Sequence, residues 1–355
     1  MKFTLLLLVL LAFFLPACAG SPPLTFTPTP AATDTHTPVP TNTATLTPSP
    51  TLVPLTATAI PLPAVSEEYL PYTIDYLRTR SYGGGQIEML EVMVERATFT
   101  RHMIRYPSDG LAIYGFANVP KGEGSFPVII MIHGYGNSSM STVLGYGTNI
   151  ADGFADNGYL VLHSNMRGYP PSDNGDNLYR VGLAVDILNL IALVREQASQ
   201  PGLLEYADPT RIGLWGQSLG GGVALRVAAV SEDIRAMVLY SAISADERKN
   251  AELFYGLTEE QIYITEMETP PDVMAYISPL NYFDKINASV KLYHSLSDDV
   301  VPSAWAIENC DEMKVNAVDV ECFYYIGADH TFSSGFQTDF RDTMLAFFEN
   351  HLMEP

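Results

Sequence analysis

The sequence predicts an α/β domain, a mostly parallel central sheet with helices on both faces. Three observations carry this. From about residue 90 onward, short apolar runs alternate with longer amphipathic ones, the order that builds a parallel sheet. Some short runs, "PVIIMIHG" (127–134) foremost, are apolar without alternation, as a strand covered on both faces must be. Finally, "RIGLWGQSLGGGVALRVAA" (211–229) passes from such a run through clustered glycines into a helix-like stretch.

The elements follow in order. "ATFTRHMIRYPSDG" and "LAIYGFANVP" predict an antiparallel pair at the start of the domain. After strand 127–134 come a helix near 147–157, the strand "YLVLHSN" (159–165) and a long helix near 177–199. In that helix Val181, Ala184, Val185, Leu188, Ile191 and Ala192 fall on one stripe. Strand 211–217, helix 219–230 and the strand "AMVLYSA" (236–242) follow, then a polar, helix-like insertion at about 245–285. The last strands are "VKLYHSL" (290–296) and "VECFYYI" (320–326), with a final helix near 336–352. No repeat with a period of 20–50 residues is present, so no propeller or solenoid is expected of these residues.

The N-terminal part is different material. Residues 1–18 carry one basic residue, Lys2, and an apolar core from Phe3 to Leu15, too short for a membrane span and ending in small residues. They read as a secretion signal. Leu15-Pro16-Ala17-Cys18 resembles a bacterial lipobox, which implies lipidation of Cys18 and an anchor in a membrane of the cell envelope; Pro16 departs from the usual residue there. Residues 19–65 form a spacer: between 21 and 64 there are 13 Thr and 11 Pro, and the only charge is Asp34. Such a stretch cannot bury a core and proline keeps it extended. Residues 66–355 remain for one large α/β domain.

The formal net charge of −21, with no basic run, excludes nucleic acid and binding to anionic lipid by charge. Of the three cysteines, Cys310 and Cys322 lie in the domain, an even number in a chain read as leaving the cytoplasm. They are expected to pair, or else to stay as two buried thiols. Two cysteines without a nearby histidine give no metal site, and no cofactor is expected.

Gly216-Gln217-Ser218-Leu219-Gly220 fits G-x-S-x-G at a strand-to-helix turn. The motif alone is weak, since it also describes a small residue in a tight turn. A serine hydroxyl is a poor nucleophile unless a histidine takes its proton, and that histidine needs a carboxylate on its other nitrogen. Both follow at the ends of later strands: "HSLSDDVVP" after strand 290–296 and "GADH" after strand 320–326. Of the seven histidines only His330 lies in a loop after the last strand, so it is the expected general base.

This ordered set resembles an α/β-hydrolase, nearest to the catalytic domain of prolyl oligopeptidases and its esterase relatives, over about residues 90–352. "SPLNYFDKINASVKLYHSLSDDVVP" (278–302) resembles that family's segment before the acid, where the acid stands four residues after the strand-end histidine; this selects Asp298 over Asp299. Ser295 replaces the family's usual glycine. The oxyanion hole, two backbone donors aimed at the developing charge, is expected from the N–H of Leu219 and, by resemblance to hydrolases with H-G-x-G, from Tyr135 in "HGYG" (133–136). "NMRGYPPSDNG" (165–175) resembles the family's Arg-Gly loop, with Arg167 tying loops together. Tyr135, Tyr146 and Tyr169 are candidates to frame the substrate pocket.

The resemblance implies a serine hydrolase without metal or cofactor, acting on small esters or, as the alternative, on short peptides. The residues before strand 127–134 are too few for the propeller that restricts full prolyl oligopeptidases to peptides, which favours the ester. A non-catalytic surface-binding module is the reading outside enzymes. Oligomeric state and the physiological substrate are left open.

Overall fold

A computed structural model describes residues 65–136, 147–333 and 337–353. The signal segment with Cys18, the spacer up to residue 64 and Tyr146 lie outside them. Nine strands form one sheet in the order β1-β2-β3-β5-β4-β6-β7-β8-β9. They are β1 Glu88–Glu95, β2 Phe99–Ser108, β3 Leu111–Pro120, β4 Phe126–Ile132, β5 Leu160–Ser164, β6 Ala207–Gln217, β7 Ile234–Tyr240, β8 Ser289–Ser295 and β9 Val320–Tyr325. Strands β4 to β9 pair in parallel, and the β1-β2-β3 meander joins β5 antiparallel.

Strand alternation sorts the core into two layers. Val128, Ile130 and Ile132 of β4 face the side covered by helices Val181–Gln197 and Leu219–Val230. Ile129 and Met131 face the other side, with Trp215, Val238 and Tyr240, under helices Thr148–Asp156 and Gln337–Phe348. All five β4 side chains from Val128 to Ile132 are 0 % exposed, and each such burial stabilises by roughly 1.5–3 kcal/mol. Helix Val181–Gln197 is buried nearly all round, not along one stripe, because neighbouring elements cover its outer side as well.

The insertion is three short helices, Glu247–Thr258, Gln261–Glu268 and Pro271–Ile277. A buried ionic cluster fixes it to the main body. Glu247 accepts Arg180 Nε at 2.8 Å and pairs with Arg226, while Glu266 accepts Arg180 Nη2 at 2.7 Å. Burial acts against the charged Glu247, but the two arginines outweigh it and hold its carboxyl below the usual range. Cys310, in helix Ser303–Val315, is disulfide-bonded to Cys322 on β9, with Cα atoms 6.4 Å apart. Among the described residues no helix is long and apolar enough to cross a membrane.

Candidate active site

Ser218 stands between the last residue of β6 and the first turn of helix Leu219–Val230 with φ +52° and ψ −119°. That left-handed backbone is strained for a residue with a side chain and turns the hydroxyl outward at the carboxyl edge of the sheet. The neighbours force it. A Cβ on Gly216 would meet Gly220 O at 2.5 Å, and one on Gly220 would meet Ile132 O at 2.1 Å. Only glycines let the helix approach β4 and β6 this closely. The end of β7 holds the elbow: Ser218 N–H donates to Tyr240 O (2.9 Å) and Ile243 N–H donates to Ser218 O (3.1 Å).

Asp298 and His330 meet across the loops after β8 and β9, with Nδ1 of His330 2.8 Å from Oδ2 of Asp298. The other carboxylate oxygen accepts the backbone N–H groups of Val300 and Val301, each at 2.9 Å. Burial of this carboxyl, 0 % exposed, would raise its pKa; the hydrogen bonds from His330, Val301 and Val300 outweigh that and hold it below the ordinary carboxylate value. Asp299 is exposed and lies outside these bonds. His294 also lies against Asp298, Nε2 to Oδ2 at 3.4 Å, and bonds Val301 O at 3.1 Å. Burial depresses its pKa, so it braces the acid loop as a neutral ring. The sequence marked His294 as a strand end; its i,i+4 spacing to Asp298 was the available signal for this contact.

Gly134 packs on the nucleophile, where an added Cβ would lie 3.2 Å from Ser218 Cβ. Next to it, His133 buries its ring with Nδ1 2.7 Å from Gly134 O and Nε2 3.1 Å from Asn165 O; Tyr169 closes over it edge-on at 4.5 Å. A neutral imidazole can donate to only one of those carbonyls, and burial favours the neutral form. The N–H groups of Tyr135 and Leu219 donate no hydrogen bond among the described residues. Tyr135 is 50 % exposed and meets Phe254 of the insertion at 5.6 Å. Tyr169 is thus packed on His133, and Tyr135 lies half exposed against the insertion. Ser218 Oγ itself has no hydrogen-bond partner among the described residues; such contacts are often long without substrate and tighten in the complex.

Arg167 is buried against Asp186, with Nη2 to Oδ1 at 2.8 Å and its own N–H to Oδ2 at 2.7 Å, and donates to Asp176 O at 3.0 Å. It ties the 165–175 loop to helix Val181–Gln197. Among the described residues no cluster of three or more His, Cys, Asp or Glu could hold a metal.

The model of the prolyl oligopeptidase family matches residues 148–354, which include the elbow, the acid loop and the histidine loop. The chain belongs to the prolyl oligopeptidase family. It has the α/β-hydrolase fold. The esterase EstD of Thermotoga maritima is 27% identical over 185 residues, 48% of this chain and 43% of its own. Among solved structures, acylaminoacyl peptidase of Pyrococcus horikoshii superposes with TM-score 0.57 at 22% identity, over 73% of this chain and 43% of that one. Acetyl xylan esterase 1 of Thermoanaerobacterium sp. JW/SL YS485 gives TM-score 0.56 at 20% identity, over 79% and 92%. The chain thus spans under half the length of EstD and of the peptidase.

Proposed function

We propose that this family member hydrolyses carboxylic esters through an acyl-enzyme, with Ser218 as nucleophile, His330 as general base and Asp298 as its orienting acid. The observation that carries the reading is the 2.8 Å contact between Asp298 and His330 beside the strained elbow at Ser218. With Nδ1–H donated to Asp298, the Nε2 lone pair is left for the serine proton. Ser218 Oγ attacks the ester carbonyl, His330 Nε2 takes the hydroxyl proton, and the N–H groups of Leu219 and Tyr135 receive the oxyanion. Each donor is worth roughly 3–4 kcal/mol in the transition state. The tetrahedral adduct collapses, the alcohol leaves with the proton from His330, and the acyl group stays on Ser218. A water molecule then gives its proton to His330, attacks the acyl carbon and releases the carboxylic acid and free Ser218.

The ester reading over the peptide one is supported by coverage. The match to an acetyl xylan esterase takes in 92% of that enzyme, whereas it takes in 43% of the acylaminoacyl peptidase. The chain is further proposed to act outside the cytoplasm, held by a lipid on Cys18 with the Thr/Pro-rich spacer as stalk; Cys18→Ala should move it from the membrane fraction to the soluble one. Turnover of p-nitrophenyl acetate, butyrate and octanoate beside an aminoacyl-p-nitroanilide tests the substrate class. Faster ester cleavage is expected, and preferential anilide cleavage would replace the ester by the peptide.

A further inference from the structure

A cavity of about 210 Å³ lies beside the triad on the face of the sheet opposite the insertion. Gln217, the chain neighbour of Ser218, and Thr331, the neighbour of His330, form its inner walls. Trp215, Tyr240 and Phe340 supply aromatic surface, and Arg341 completes it from helix Gln337–Phe348. Its volume equals the bulk share of about seven waters, enough for one ring and a small polar group.

Among the polar side chains in these walls, those of Gln217, Trp215 and Arg341 make no hydrogen bond with any described residue. Gln217 is 3 % exposed, and its side-chain amide makes no hydrogen bond with any described residue. Trp215 is 1 % exposed, and its Nε1–H is buried without an acceptor. Of these, the Trp215 Nε1–H is shut off from water, and a buried donor of that kind is costly unless something fills the need. The guanidinium of Arg341 forms no ion pair with any described residue, and no Asp or Glu lines the cavity.

Position assigns the cavity's role. His330 hands its proton to the departing oxygen, so the leaving group must lie on the His330 side, where Thr331 stands. Tyr135 and Phe254 lie toward the opposite layer, which leaves the acyl group to them. We propose that the cavity is the leaving-group subsite and selects a planar aromatic alcohol bearing a carboxylate. The ring would pack against Trp215, Tyr240 and Phe340, and the carboxylate would accept from Arg341 and Gln217. This rests on the ester reading given above.

The test compares 4-acetoxybenzoate with its neutral isostere 4-acetoxybenzamide on the full chain, by kcat/KM. In parallel, calorimetry gives the Kd of the products 4-hydroxybenzoate and 4-hydroxybenzamide. Hydrogen bonds to a charged group predict a preference for the acid of about 10- to 100-fold in both readouts. Arg341→Met should bring that ratio close to one, and Arg341→Lys should keep part of it. Arg195→Met, which removes a surface charge elsewhere, should leave it as in the parent. A parent without preference for the acid in binding, or a preference that survives Arg341→Met, overturns the subsite. Turnover of the neutral ester with no such preference sinks the subsite alone. Arg341-dependent binding of 4-hydroxybenzoate without turnover of either ester would sink the ester reading, and with it the leaving-group role, while the cavity's selection of an aromatic carboxylate would stand.

Discussion

Asp298→Asn is the substitution whose outcome the geometry sets most tightly. Asp298 offers two faces: Oδ2 to His330 Nδ1 at 2.8 Å, and Oδ1 to two backbone N–H groups at 2.9 Å. An asparagine has only one acceptor oxygen. If that oxygen keeps the two backbone donors, its NH₂ faces Nδ1, which must then carry the lone pair. The proton moves to Nε2, and the imidazole presents a donor to Ser218 where the reaction needs an acceptor. If the amide flips, its NH₂ faces two N–H groups, leaving buried donors unpaired at about 1–3 kcal/mol. The first arrangement is cheaper, so the wrong tautomer prevails. The expected loss in kcat is about 10⁴-fold, equivalent to about 5.4 kcal/mol on the barrier. Ester turnover under saturation measures it, with urea melts to show that the variant folds and Asp299→Asn as the control within about twofold. An Asp298→Asn variant that keeps a tenth of the activity, or an Asp299→Asn variant that loses most of it, would refute this reasoning. The same carboxyl gives a pH effect. Its folded pKa is depressed, so its contribution to stability is present above about pH 4 and is lost as the pH falls toward the folded value.

Other consequences are open to the same kind of check. Gly220→Ala puts a Cβ at 2.1 Å from the Ile132 carbonyl oxygen, with backbone on both sides, and should cost at least about 3 kcal/mol in a urea melt. A melting curve unchanged from the parent would show that the helix can move away from β4. Glu247→Gln leaves two buried arginines short of their shared carboxylate and should cost about 3–5 kcal/mol, a loss that a solvent-screened pair could not produce. Replacing Cys310 and Cys322 by alanine opens a loop with a sequence separation of 12, worth about 3 kcal/mol, and reductant should affect the parent alike. Stability indifferent to both treatments would mean that the bond is absent in the protein as made.

Much of the sheet was legible in the sequence, for a physical reason. Strands covered on both faces must be apolar throughout, so β4, β5, β7 and β8 announce themselves, and "HMIRYPSDGLAIYG" carries its own turn. What escaped were elements whose burial is partial. β1 is an edge strand with Met89, Leu90 and Val92 about half exposed, and nothing in its pattern demands a sheet. Helix Ser303–Val315 has apolar residues on several sides, including Ile307 and Val315 facing water, so it shows no stripe; the need to cross over between parallel β8 and β9 was the better clue.

The site was legible where chemistry fixes residue types in order along the chain. Asp298 and His330 come together as that order implies. What the sequence hid was contact between distant residues of ordinary type. Arg180, Arg226, Glu247 and Glu266 are far apart in the chain and carry no motif, yet they lock the insertion. The cavity under Gln217 and Arg341 is equally silent, because which side chains come to line a cavity is a property of packing.

The central claim is that Ser218 is an activated nucleophile, and covalent labelling by a fluorophosphonate tests it most directly. Intact-mass and peptide analysis should find one phosphonyl group per chain, on Ser218, and none on Ser218→Ala. Labelling that persists in that variant, or a folded parent that takes no label, would contradict the account.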